Sequence, residues 1–322
     1  MAAAHTHHDH SHPHGHAHSH GPGGRHHPVP TDFGARFAFG AALNAVFVAG
    51  EALFGVYSHS LALLADAGHN LGDIMALVLA FAASRLMRRA PTARYTYGFG
   101  SSSMLAALFN AATLLLVTGA IAGESIHRLF APQPVAGGTV MLIAAVGILV
   151  NGGTALMFMS GRHDDLNVRS AFQHMLADAL VAAGVVVAGG LILLTGWRAI
   201  DPIVSLLVSA VIIRATWGTL KESFEMMMHA APRGIDPDAV RGFLSSQPGV
   251  TGLHDLHIWP TSTTETALTA HLVMPDGHPG DHALAALCHE LTHRFRIGHA
   301  TFQVETGVVT CTLETAHTAR AG

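Results

Sequence analysis

The stretch from Ser60 to Phe81, SLALLADAGHNLGDIMALVLAF, decides how the rest of the chain is read. It is long and apolar enough to cross a bilayer as a helix, yet it carries Asp66, His69 and Asp73. An ionisable side chain at the centre of a membrane helix costs roughly 2.5–3.5 kcal/mol on insertion scales. Such groups persist where they pair, line a wet cavity or bind a ligand. His69 and Asp73 are four apart and project from one face of a helix. Taken singly, the pair reads equally well as a local hydrogen bond between neighbours. A second copy of the spacing, from His174 to Asp178, lies in a later apolar run. Two membrane helices, each presenting an imidazole and a carboxylate, supply two nitrogen and two oxygen ligands, a set that suits tetrahedral Zn²⁺. The carboxylates also offset the divalent charge. No cysteine lies in any apolar run, which excludes a thiolate site there, and imidazole favours zinc over harder ions.

The chain of 322 residues is 50% hydrophobic and 12% charged, with a mean hydropathy of +0.38. Soluble domains carry about 25% charged residues, so the composition is that of a membrane protein with some soluble mass. A net charge of −4 leaves no basic footprint for nucleic acid. The cysteines, Cys288 and Cys311, form no CxxC pair and no disulfide framework. Histidine is the anomaly, with 26 residues against 17 lysines and arginines. Eleven of them fall in the first thirty residues, interleaved with Gly, Ser, Pro and Ala. With no apolar core of a signal peptide in that segment, residues 1–32 read as a disordered, metal-collecting tail.

Six apolar segments follow, at about 34–57, 61–84, 101–123, 136–159, 171–194 and 199–219, each able to span hydrocarbon. The link after the second carries Arg85, Arg88, Arg89 and Arg94, and the link after the fourth carries Arg162 and Arg169. The turn at Ser58 to Ser60 has no Lys or Arg, and the link after the third span has only Arg128. Basic links stay in the cytoplasm, so a multi-pass protein of the inner membrane with both termini cytoplasmic is expected. Asn44, Asn110 and Asn151 read as interhelical hydrogen-bonding groups, whereas Glu51 could line a wet cavity.

The chain divides into the tail at 1–32, a six-helix transmembrane domain at 33–222, a soluble domain at 223–315 and a terminal tail at 316–322. The soluble part alternates in type: a helix over Asp236 to Ser245, strands over Val250 to Trp259 and Thr266 to Met274, an amphipathic helix over Asp281 to Phe295, and a strand over Ala300 to Glu305. That order is a small α+β domain. Residues 289–293 spell HELTH, a literal HExxH. The extended metalloprotease pattern wants glycine where Arg296 stands. The helix uses Leu284, Leu287, Leu291 and Phe295 as its core face, leaving His289 and His293 solvated. No enzyme is expected.

The paired HxxxD motifs, SLALLADAGHNLGD, the IDPIVS opening of the sixth span and HDLHIW in the soluble part together resemble the cation diffusion facilitator family, in its bacterial zinc-exporting branch. The resemblance covers about Phe33 to Glu305. It implies six transmembrane helices with a cytoplasmic domain of metallochaperone-like (ferredoxin-like) fold, assembled as a homodimer in the lipid membrane. It further implies zinc export in exchange for protons by alternating access, with His69, Asp73, His174 and Asp178 as transport ligands. His69, where other members have aspartate, implies a tighter preference for zinc over cadmium. The family also places regulatory zinc in the soluble domain, and the matching positions are His254, His271, Glu305 and, less closely, His282. Gln303 stands where members carry a ligand histidine, with His257 and His299 as nearby substitutes. The rival class is a membrane-bound zinc sensor or buffer without transport.

Overall fold

The computed structural model describes residues 33–159, 166–309 and 311. The expected tails at 1–32 and 316–322 lie outside the described residues. Six long helices come first: α1 (Phe33–Tyr57), α2 (Leu61–Met87), α3 (Ser102–Phe130), α4 (Gly137–Phe158), α5 (Leu166–Thr195) and α6 (Ile200–Met227). Among the described residues, α2 to α6 each hold a stretch long and apolar enough to cross a membrane, while α1 contributes the apolar run Ala42–Tyr57. Helices α3 and α6 run on past the expected ends near residues 123 and 219. Their extensions, ESIHRLF and KESFEMM, are polar helix formers; hydropathy marks where the lipid ends, not where the helix does.

At the end of the bundle where α2 begins, the helix is pinned by α6. Asp201 accepts hydrogen bonds from the Ser60 hydroxyl at 2.5 Å, the Leu61 amide at 2.8 Å and the Ala62 amide at 3.4 Å. A buried carboxylate thus satisfies the orphan amides and complements the positive end of the α2 dipole. Ser60 also accepts from the Leu63 amide at 3.2 Å. The Ser125 hydroxyl of α3 lies 2.8 Å from that of Ser205, which reaches the Leu61 carbonyl at 3.2 Å. Helices α4 and α5 meet almost backbone to backbone. A Cβ built on Gly137 or Gly189 would stand 2.9 Å from the other's carbonyl oxygen.

The soluble part contains α7 (Pro237–Ser245), β1 (Gly252–Pro260), β2 (Thr266–Val273), α8 (Asp281–Phe295) and β3 (His299–Glu305). Asp236 caps α7 by accepting from the Asp238 amide at 3.0 Å, with Pro237 at the first helical position. The sheet order is β1-β2-β3, antiparallel then parallel, with α8 as the crossover. Its core gathers Val240, Leu244, Leu268, Leu272, Leu291 and Ile297, all nearly inaccessible. Leu268, Ala270 and Leu272 face this core from β2, so the pleat sends Thr269 and His271 to the opposite face.

The link between α2 and α3 rests on the turn between β1 and β2. Ser103 Oγ accepts from the Thr263 amide at 3.1 Å, and Tyr97 stacks edge-on with His299 at 5.6 Å. A Cβ on Gly100 would come within 2.6 Å of the Thr261 carbonyl oxygen, so only glycine permits this approach. The arginine-bearing second link and the soluble part therefore lie at the same end of the bundle.

Candidate metal centre

The two HxxxD pairs meet between α2 and α5 in a closed ring of alternating imidazole and carboxylate. His69 Nε2 lies 3.8 Å from Asp73 Oδ2 and 3.7 Å from Asp178 Oδ1. His174 Nε2 lies 3.1 Å from Asp73 Oδ2 and 3.6 Å from Asp178 Oδ2. Ligands on a tetrahedral zinc, each about 2.0–2.1 Å from the metal, stand about 3.3 Å apart, so the four edges suit such an ion. Asp73 Oδ2 and Asp178 Oδ2 are buried yet form no directed hydrogen bond, which is the condition of lone pairs aimed at a common centre. The ring is asymmetric: the Asp178 side chain is 3% exposed and that of His174 39%. It therefore opens on one side and is sealed on the other. Every expected transport ligand is in the ring.

A second cluster lies on the sheet face turned away from α7 and α8. His254 and His271 are directly paired across β1 and β2, and His271 has Gln303 as its partner in β3. His271 Nδ1 lies 2.9 Å from Glu305 Oε1 and 3.6 Å from Cys311 Sγ, and His254 Nε2 lies 3.3 Å from Glu305 Oε2. One donor atom from each of His254, His271, Glu305 and Cys311 falls within 4.8 Å of all the others. His254 Nε2 is buried without a hydrogen bond. The other nitrogen of His271 lies 3.5 Å from Asp255 Oδ2, so Nδ1 is the nitrogen turned to Glu305 and Cys311. Gln303 does not join the cluster as a donor; its amide donates to Glu305 Oε1 at 2.8 Å. Burial pushes the Glu305 carboxyl up, but hydrogen bonds from Gln303 and Cys311 and the neighbouring His254 and His271 outweigh it and hold the group below its usual range.

Of the soluble-domain positions that the resemblance implied, His254, His271 and Glu305 converge. His282 does not; it sits exposed near the start of α8, and Cys311 takes the fourth place. Cys311 follows Glu305 at a spacing that matches no metal motif, so no pattern in the sequence pointed to it. His257 is bound to Asp255 at 3.0 Å, and His299 to Tyr97. His289, Glu290 and His293 of HELTH are exposed on α8 as the core pattern required, and the two imidazoles stack at 4.6 Å. Burial pushes the Cys288 thiol of the same helix up. Glu51 is 1% exposed, and neither of its carboxylate oxygens makes a hydrogen bond. Both side-chain atoms of Asn151 and the Asn44 oxygen are buried without the hydrogen bonds expected of them.

Comparison with known proteins bears on the whole architecture. Residues 38–228 match the family model of the cation efflux transmembrane domain, and residues 232–307 that of the cation efflux protein cytoplasmic domain. The chain is 39% identical over 273 residues to the zinc transporter ZitB of Yersinia pestis, covering 84% of this chain and 87% of that protein. It is 38% identical over 282 residues to ZitB of Escherichia coli K12, covering 86% and 89%. A Bacillus subtilis protein named as a cadmium, cobalt and zinc/H⁺-K⁺ antiporter is 34% identical over 261 residues, covering 80% and 84%. These relatives are named as transporters, and the matched regions contain the membrane ring and, apart from Cys311, the second cluster. The two family models, which together cover most of a chain with five apolar spans, paired HxxxD motifs and a small three-stranded α+β domain, make this chain a member of the cation efflux, or cation diffusion facilitator, family.

Proposed function

We propose that the chain exports zinc from the cytoplasm in exchange for protons, by alternating access at the ring of His69, Asp73, His174 and Asp178. The observation that carries this reading is the ring itself, in which imidazole and carboxylate alternate at 3.1–3.8 Å. Zinc requires neutral imidazole and ionised carboxylate, so its entry releases protons and protonation releases the metal. A ring open to one side at a time then exchanges cation for protons. The names of the relatives support zinc as cargo and protons as counter-ion. His69 in place of aspartate supports a preference for zinc over cadmium.

The soluble domain lies at the end of the bundle that carries Arg85, Arg88, Arg89 and Arg94. That supports an inner-membrane protein with this end, and both termini, in the cytoplasm. The transport domain occupies 33–222, the cytoplasmic domain 223–315, and the assembly is a homodimer held in part through the cytoplasmic domain. The cluster of His254, His271, Glu305 and Cys311 would hold a resident regulatory zinc, tying β1, β2 and the segment after β3 together. Its orphaned His254 nitrogen and the placement of His271 between Asp255 and Glu305 support the fit. The histidine-rich tail over 1–32 collects zinc.

This second cluster is also what favours the rival reading, a zinc buffer or sensor that binds without transporting. Proteoliposomes separate the two. Zinc flux should follow an imposed pH gradient in the wild type and fall at least about 100-fold in Asp178→Ala, because a three-ligand ring loses its charge balance. Zinc binding without gradient-driven flux in the wild type would establish the buffer instead.

A further inference from the structure

Helix α8, DHALAALCHELTHRF, turns Leu287 and Leu291 to the core and leaves His282, His289, Glu290 and His293 exposed. Solvated helix faces are ordinarily built from Lys, Glu, Gln and Arg, which propagate a helix better than histidine does. This face carries three histidines, and the helix has no lysine. His289 and His293 stand one turn apart on the same side. Their ring centroids lie 4.6 Å apart, with the planes at 42°. Two imidazoles that share one zinc, each nitrogen about 2.0–2.1 Å from the metal, place their centroids about 5 Å apart. The pair already stands at chelating distance.

The surroundings favour a cation. Glu290 is exposed beside the pair. The guanidinium of Arg294 is drawn away, stacked over Phe243 at 4.7 Å and Phe295 at 5.7 Å. Both histidines lie in the last two turns of α8, which ends at Arg296, where the negative end of the helix dipole attracts positive charge. We propose that His289 and His293 form a further metal site, which takes a divalent ion of the zinc class through its two imidazoles. Water fills the remaining positions, and Glu290 offsets part of the charge. Magnesium and calcium, which prefer oxygen ligands, are excluded. The second cluster lies on the opposite face of the sheet, so the two sites share no ligand. With two protein ligands and open positions, the ion exchanges readily with solution. The HExxH spacing here serves binding alone, as a labile loading point on the surface of the soluble domain.

The tail and both clusters also present zinc ligands, so the test must be read residue by residue. The purified full chain is treated with diethyl pyrocarbonate, and modification of each histidine is followed by peptide mass spectrometry. Zinc should slow modification of His289 and His293 together, by about tenfold once it exceeds the dissociation constant about tenfold; magnesium should leave both unchanged. In His293→Gln, a polar substitution at an exposed position, half-protection of His289 should require about 100-fold more zinc, because a lone imidazole loses the chelate. His282, on the same face but two turns away, should keep its rate throughout. Unprotected His289 and His293 in the wild type would overturn the inference. So would protection of His289 that is unchanged in His293→Gln, or equal slowing of His282, which would mean general occlusion of the face. None of these readouts depends on flux through the ring, so the transport reading stands or falls separately.

Discussion

The two clusters use nearly the same donors and reach them by opposite means. The membrane ring takes two residues from each of two helices, placed by an i,i+4 spacing. The cytoplasmic cluster takes one residue from each of three strands and one from beyond the sheet, placed by strand register. Their surroundings differ as much. In the cytoplasmic cluster the side chains of His254, His271 and Glu305 are 10–14% exposed, Asp255 holds the far side of His271, and Gln303 holds Glu305. In the ring, exposure runs from 3% to 39%, and His69 Nδ1 is buried with no partner to fix its tautomer. Outer partners raise the basicity of a ligand and its grip on metal. A site with them retains its ion, and a site without them lets go. On the proposed function, the difference is that between a resident ion and cargo.

The contrast can be broken in steps. The largest effect on transport is expected at the ring, from His69→Asp. Replacing imidazole with carboxylate should lower the Zn²⁺/Cd²⁺ flux ratio by about tenfold while leaving total flux measurable. Parallel uptake of the two metals into proteoliposomes reads it, and an unchanged ratio would remove His69 as a selector. Next comes Cys311→Ser, which takes the soft donor from the cytoplasmic cluster. Metal affinity there should fall by about 10–100-fold, with maximal flux at saturating zinc unchanged; a matching collapse of flux would show that the clusters are not separate. The smallest effect concerns pH. Because the folded-state value of Glu305 lies below its ordinary one, its ionised form adds stability above the unfolded value, and that increment is lost as pH falls through the folded value. With chelator present, wild type and Glu305→Gln should differ most in thermal unfolding at neutral pH and converge in acid. A difference that grows in acid would reverse the assignment.

Legibility followed periodicity. His69, Asp73, His174 and Asp178 could be paired from the sequence because helix geometry is the same everywhere, and a four-residue spacing carries its own meaning. The limits of α8 could be read for the same reason, since its leucines repeat at helical intervals and Arg296 closes it in the left-handed conformation, at φ 58°. The ends of α3 and α6 could not, because polar residues extend a helix without announcing it. Cys311 was invisible on other grounds. Its meeting with His271 spans 40 residues and depends on where the chain turns after β3, which no local pattern records.

One irregularity in β1 has a consequence for how much chemistry a strand can present. The register shifts between His254 and His257, where three steps along β1 match two along β2. The extra residue is a bulge, with Asp255 in the left-handed region at φ 51°. A regular strand sends every second side chain to a given face, two from any four residues. Here His254, Asp255 and His257 all serve one face, and only Leu256 turns to the core. The bulge is thus a device of density, fitting a donor, its orienting carboxylate and a further imidazole into a length of strand that ordinarily offers two places. It also explains the choice of residue, since aspartate tolerates the left-handed backbone better than most side chains while supplying the charge. Asparagine would keep the first property and lose the second, whereas alanine would lose both.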